Sequence, residues 1–102
     1  MSIKFNTKAR IDYHRMVERA ARDWPGQAHD LIDSLDADLE LLEKQPKLAA
    51  VSDDPAITIP GLRAFPLRRI NHYVVYYLAV PEGIRVYRIL YGGMSLEGQF
   101  DV

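Results

Sequence analysis

The sequence predicts an α+β fold: an N-terminal strand, a two-helix hairpin and then a three-stranded antiparallel meander, in the order β-α-α-β-β-β. Three observations predict it. From Lys8 to Pro46 apolar residues recur at three- and four-residue spacing, the repeat of amphipathic helices. After Gly61 they become continuous, β-branched and aromatic, as strands require. Between the two lies a stretch with Pro46, Asp53, Asp54, Pro55, Pro60 and Gly61, residues that favour a loop.

Taken in order, Ile3 to Phe5 is a short strand, and Asn6 or Thr7 can cap the helix that follows by accepting from an orphan backbone donor. Ala9, Tyr13, Met16, Val17, Ala20 and Trp24 share one stripe of a helix from Lys8 to Arg22, with Arg10, Arg15, Arg19 and Arg22 on the other face. Trp24-Pro25-Gly26 breaks the repeat, and Pro25 fits the first turn of the second helix, where its missing donor costs nothing. In that helix Ala28, Leu31, Ile32, Leu35, Leu39 and Leu42 form the apolar stripe. Asp30, Asp33, Asp36, Asp38, Glu40 and Glu43 make an acidic exposed side, and Pro46 ends the helix.

The loop leaves room for a short strand at Ile57 to Ile59. Three strands then follow at Leu62 to Leu67, Tyr73 to Ala79 and Ile84 to Tyr91. Tyr73 to Ala79 is apolar on both parities, so the sheet is expected to be covered on both faces. The tail leaves through Gly92-Gly93, and Leu96 and Phe100 are expected to be exposed on it.

At 102 residues, 48% hydrophobic and 26% charged, the chain fits one domain, residues 1–102, able to bury about 65% of its unfolded surface. The formal charge of −1 excludes a global field drawing it onto nucleic acid or an anionic membrane. No cysteine means no disulfide framework and no thiolate site, and no apolar run is long enough to span a bilayer, so the expected location is the cytoplasm. Charge is uneven, however. Residues 55–102 hold five arginines, no lysine and three acids. Those arginines, Arg63, Arg68, Arg69, Arg85 and Arg88, suit bidentate contact with phosphate or carboxylate, or simply solvated charge.

Four stretches, in order, resemble the RelE/ParE toxin superfamily of type II toxin–antitoxin systems. Leu41-Leu42-Glu43-Lys44-Gln45-Pro46 resembles the family's "LLxxxP" close of the hairpin. Pro60-Gly61-Leu62-Arg63-Ala64-Phe65-Pro66-Leu67 resembles "GLRxFPV", and Tyr73-Val74-Val75-Tyr76-Tyr77 resembles "YVIFYR". Ile84 to Met94 is similar to "IEIVRVLHGARD". The chain departs from the pattern at Leu78, Tyr91 and Met94, where arginine, histidine and arginine are usual. Arg88 matches. By alternation it shares a face with Ile84, Val86 and Leu90, where an unpaired charge is costly, so it needs a partner: either a structural ion pair or a target.

The resemblance implies a cognate antitoxin as partner, no cofactor, no metal, and one of two activities. ParE-like members bind DNA gyrase; RelE-like members cleave messenger RNA in the ribosome. A metal-free ribonuclease needs a base and several cations around one concavity. Arg63, Arg69, Arg88 and Tyr91 are the only set available, and it is incomplete, since no lysine follows Lys47 and His72 falls at a turn. The absence of net positive charge points the same way. The ParE-like branch is therefore preferred, with Arg63, Arg88, Tyr91, Met94 and Phe100 as target-binding candidates. The alternatives are a ribosome-dependent ribonuclease, and a member that has lost toxicity but still binds antitoxin.

Overall fold

The computed structural model describes residues 2–100. Its elements are β1 (Ser2–Phe5), α1 (Thr7–Asp23), α2 (Ala28–Lys44), β2 (Arg63–Pro66), β3 (Tyr73–Val80) and β4 (Gly83–Tyr91). The expected order β-α-α-β-β-β holds. The four strands form one sheet in the order β1-β4-β3-β2. β2, β3 and β4 make the antiparallel meander, while β1 runs parallel to β4, with Ser2 opposite Gly83 and Phe5 opposite Val86. The helical hairpin supplies the long crossover that a parallel pair needs.

Both faces of the sheet are covered. On one, Ala9 of α1 and Leu35, Leu39 and Leu42 of α2 pack on Val75, Tyr77, Ile84, Val86 and Ile89. On the other, Leu62, Tyr76, Leu90 and Phe100 form a second cluster with Ile57, Ile59, Val74, Tyr87 and Leu96. The loop before β2 and the tail after β4 therefore do the work of a missing second helical layer. Each fully buried leucine or isoleucine contributes about 1.5–3 kcal/mol, so neither cluster is incidental.

Several expectations need correction. No strand forms at Ile57 to Ile59; instead Val51 bridges Arg63 at the edge of β2. Pro25 lies in the turn between the helices, because α2 begins at Ala28. Trp24 follows the last residue of α1 and is exposed, its ring beneath the Arg19 guanidinium. Asn6 stands at the start of α1 without capping it; its Oδ1 accepts from Arg85 at 3.3 Å instead. Phe100 is buried, edge-on to Tyr76 at 5.2 Å, and Leu96 is half-buried.

Two acids also lie inside. Asp38, placed by the helical repeat on the exposed acidic side of α2, is 1% exposed and accepts from the backbone N–H of Arg68 and from Arg68 Nε. Asp12 of α1 is also buried. Asp36 is half-buried and accepts from Tyr13 Oη at 2.7 Å. Burial and that carboxylate push the Tyr13 hydroxyl up to about 12, because the phenolate would be both desolvated and beside a negative charge.

Gly83 is the tightest point of the sheet. Its φ is +143°, and a Cβ there would lie 2.1 Å from Ser2 O. Only glycine lets β1 approach β4 at this place.

Candidate functional site

The candidate residues separate into those spent on structure and those left outside. Arg63 belongs to the first group: its guanidinium donates to Ala49 O at 2.6 Å. Beside it the buried Tyr77 hydroxyl donates to Pro46 O at 2.8 Å and accepts from Ala49 N–H at 3.4 Å. Together they pin the chain leaving α2 against β2 and β3. Burial raises the Tyr77 hydroxyl above its ordinary range, while the Ala49 N–H and Arg63 pull the other way.

Arg88 is likewise committed. Register slips between Tyr76 and Tyr77, so Tyr76 faces Arg88 while Tyr77 faces Val86. Tyr87 is the extra residue of a β-bulge. The slip reverses the parity of β4: Ile84, Val86 and Ile89 face the helices, whereas Tyr87 and Leu90 join the opposite cluster. Arg88 is therefore parted from Ile84 and Val86, contrary to simple alternation. Its Nε and Nη2 donate to Asp12 at 2.8 and 3.0 Å, and Nη1 donates to Gln99 O and Oε1, both at 3.0 Å. Asp12 also accepts from Ile89 N–H at 3.0 Å. With 13% and 7% of their side chains exposed, the two form a fork-to-fork pair with its remaining hydrogen-bonding groups satisfied. Asp12, absent from the sequence-based candidates, thus ties α1, β4 and the tail together.

Arg69 is exposed and lines a hollow with Asp30, Asp33 and Asp38. That hollow shares no residue with the groove containing Arg88 and Tyr91. The four ribonuclease candidates are therefore not gathered in one concavity. Tyr91 and Met94 are 46% and 42% exposed. Tyr91 packs against His72 and Tyr73, with ring centroids 5.7 and 5.6 Å away.

The groove beside Tyr91 runs between α1 and the outer edge of β4 and encloses about 410 Å³. Arg15, Arg19 and Arg22 line one side; Tyr73, Tyr91 and Met94 line the other, with Asp12 and Arg88 at its floor. Arg19 donates to Tyr73 Oη at 3.0 Å across it. These arginines were read from the sequence only as the solvated face of the first helix; their meeting with Tyr91 is a product of the fold. Among the described residues no group of three His, Asp or Glu side chains could hold a metal ion, and no helix is long and apolar enough to cross a membrane.

Comparison with known proteins agrees with this architecture. A solved structure described as the chromosomal ParDE TA system from P. aeruginosa superposes with a TM-score of 0.65 and 20% sequence identity, covering 87% of this chain and 92% of that one. That likeness establishes the fold. No curated protein sequence matches significantly. Residues 3–96 match the family described as the ParE toxin of the type II toxin–antitoxin system, parDE. With nearly every element inside that match, the chain belongs to the ParE toxin family.

Proposed function

We propose that this chain is a toxin that inhibits DNA gyrase by direct binding, without catalysing a reaction, and that a cognate antitoxin neutralises it by covering its apolar surface over the hairpin and sheet. The observation that carries the non-enzymatic reading is the state of Arg63, Arg69, Arg88 and Tyr91, the residues the sequence offers for RNA cleavage. Metal-free RNA cleavage needs free charged groups converging on one phosphate. Arg63 is spent on the Ala49 carbonyl, Arg88 on Asp12 and Gln99, and Arg69 lies in a different hollow. Tyr91 and Met94 remain exposed at the groove, where an aromatic ring and a methionine suit a protein contact. Family membership supports the role of toxin, and the ParDE system from P. aeruginosa supports an antitoxin as partner.

Pulse labelling of DNA and protein synthesis after induction of the chain without antitoxin tests this reading. DNA synthesis is expected to stop first. An immediate fall in protein synthesis would replace gyrase with RNA as the target, and normal labelling with folded protein present would identify a member that has lost toxicity.

A further inference from the structure

On the β2 side the sheet does not end at β2. The loop leaving α2 runs antiparallel outside it: Ala64 N–H donates to Ala50 O at 3.3 Å, and Ser52 N–H donates to Leu62 O at 2.8 Å. Those two bonds flank the bridge between Val51 and Arg63. Val51 therefore occupies a position that does not bond its neighbour, and by the alternation of an antiparallel ladder its N–H and C=O turn outward. Among the described residues nothing bonds either group. The Val51 side chain is 50% exposed. An apolar edge with both backbone groups free is a template for another strand.

The surroundings of this edge narrow the choice of strand. Three residues before Val51, Leu48 is 49% exposed and lines a hollow of about 630 Å³ with Pro46, Ala79, Val80 and Pro81. Lys44 and Lys47 precede Val51, and Asp53 and Asp54 follow it, all four exposed. Among the described residues the Lys44, Lys47 and Asp53 side chains have no ion pair. The strip is thus cationic at one end, apolar in the middle and acidic at the other end.

We infer that this edge takes a second copy of the chain, paired antiparallel about a two-fold axis at Val51. The Val51 N–H of each copy donates to the Val51 C=O of the other, the exchange open to two residues directly opposite in an antiparallel ladder. The rotation turns the strip end for end. Lys44 and Lys47 of one copy come beside Asp53 and Asp54 of the other, and the same contact repeats across the axis. That self-complementary order of charge selects a copy of this chain, while Val51, Leu48 and the rim of the hollow supply apolar contact. A two-fold contact uses the same patch on both copies, so association stops at two. The edge lies across the sheet from the groove of Tyr91, and the inference does not draw on the toxin reading.

Sedimentation velocity of the purified full chain over a range of concentrations tests this. A monomer–dimer equilibrium is expected, with a dissociation constant on the order of 10 μM for so short an edge. Val51→Lys, at a half-exposed side chain, is expected to leave the circular dichroism unchanged and to weaken the dimer at least about 30-fold. Lys47→Glu should weaken it about 5-fold, and Lys47→Glu with Asp53→Lys should restore it. Exchange of the Val51 amide in the wild-type chain should slow as concentration rises, a readout that requires no variant to fold. A chain that stays monomeric up to about 1 mM, a dimer indifferent to Val51→Lys, a double charge reversal that restores nothing, a Val51 amide whose exchange ignores concentration, or species larger than a dimer would each overturn the inference. Growth arrest on induction reports the toxin reading separately, so that reading survives a failure here.

Discussion

Replacing Asp12 with alanine removes the acceptor for three hydrogen bonds at once, two from Arg88 and one from Ile89 N–H. The guanidinium keeps its two bonds to Gln99, but its charge stays largely buried and the Ile89 donor loses its partner. Breaking a buried pair from one side costs about 3–5 kcal/mol. Because 13% of the Arg88 side chain still reaches solvent, the lower end applies, about 3 kcal/mol. In a domain of this size that corresponds to a fall in Tm of roughly 12–20 °C. Urea denaturation followed by far-ultraviolet circular dichroism measures it. The double variant Asp12→Leu, Arg88→Met removes both charges together and should recover most of the loss, since a satisfied buried pair and an apolar pair of similar volume are nearly equivalent. A cost below about 1 kcal/mol for Asp12→Ala, or a double variant as unstable as the two single losses summed, would refute the reasoning.

Tyr77→Phe deletes the hydroxyl holding Pro46 O and Ala49 N–H and should cost about 1–2 kcal/mol in the same assay, with the loop after α2 becoming more protease-sensitive. Gly83→Ala sets a Cβ against Ser2 O at a positive φ, so it should destabilise by at least about 3 kcal/mol or leave the chain insoluble. For Tyr13, whose hydroxyl is pushed up to about 12 from 10.0, the folded state holds its proton more tightly than the unfolded chain. Its contribution is therefore complete below pH 10 and lost as pH rises toward 12. Denaturation midpoints at neutral and strongly alkaline pH should diverge less in Tyr13→Phe than in the wild type.

Element order was legible because helix and strand repeats differ and the change falls at a loop rich in proline and aspartate. The covering of both sheet faces was legible too, from a β3 segment apolar on both parities. What escaped the sequence reading were features set by tertiary contact. Asp12 falls three residues after Ala9 and four before Met16, and Asp38 three after Leu35 and four before Leu42. An acid on an apolar stripe was the available signal, and each acid turned out to receive an arginine distant in sequence. The bulge at Tyr87 had no such signal, since neither Tyr87 nor Arg88 is a turn former, and one extra residue moved Arg88 away from the face of Ile84 and Val86. Phe100 was read as exposed because a polar, glycine-bearing tail gives no hint that the far side of the sheet needs it. The groove was invisible because its two walls, α1 and the end of β4, are separated by most of the chain.

The most direct measurement of the central claim is the supercoiling of relaxed plasmid by purified DNA gyrase in the presence of this chain, folded and free of antitoxin. The account predicts that supercoiling is lost as the chain reaches equivalence with gyrase, while messenger RNA in a translating extract stays intact. Full supercoiling with excess chain, together with cleaved messenger RNA in the extract, would contradict it.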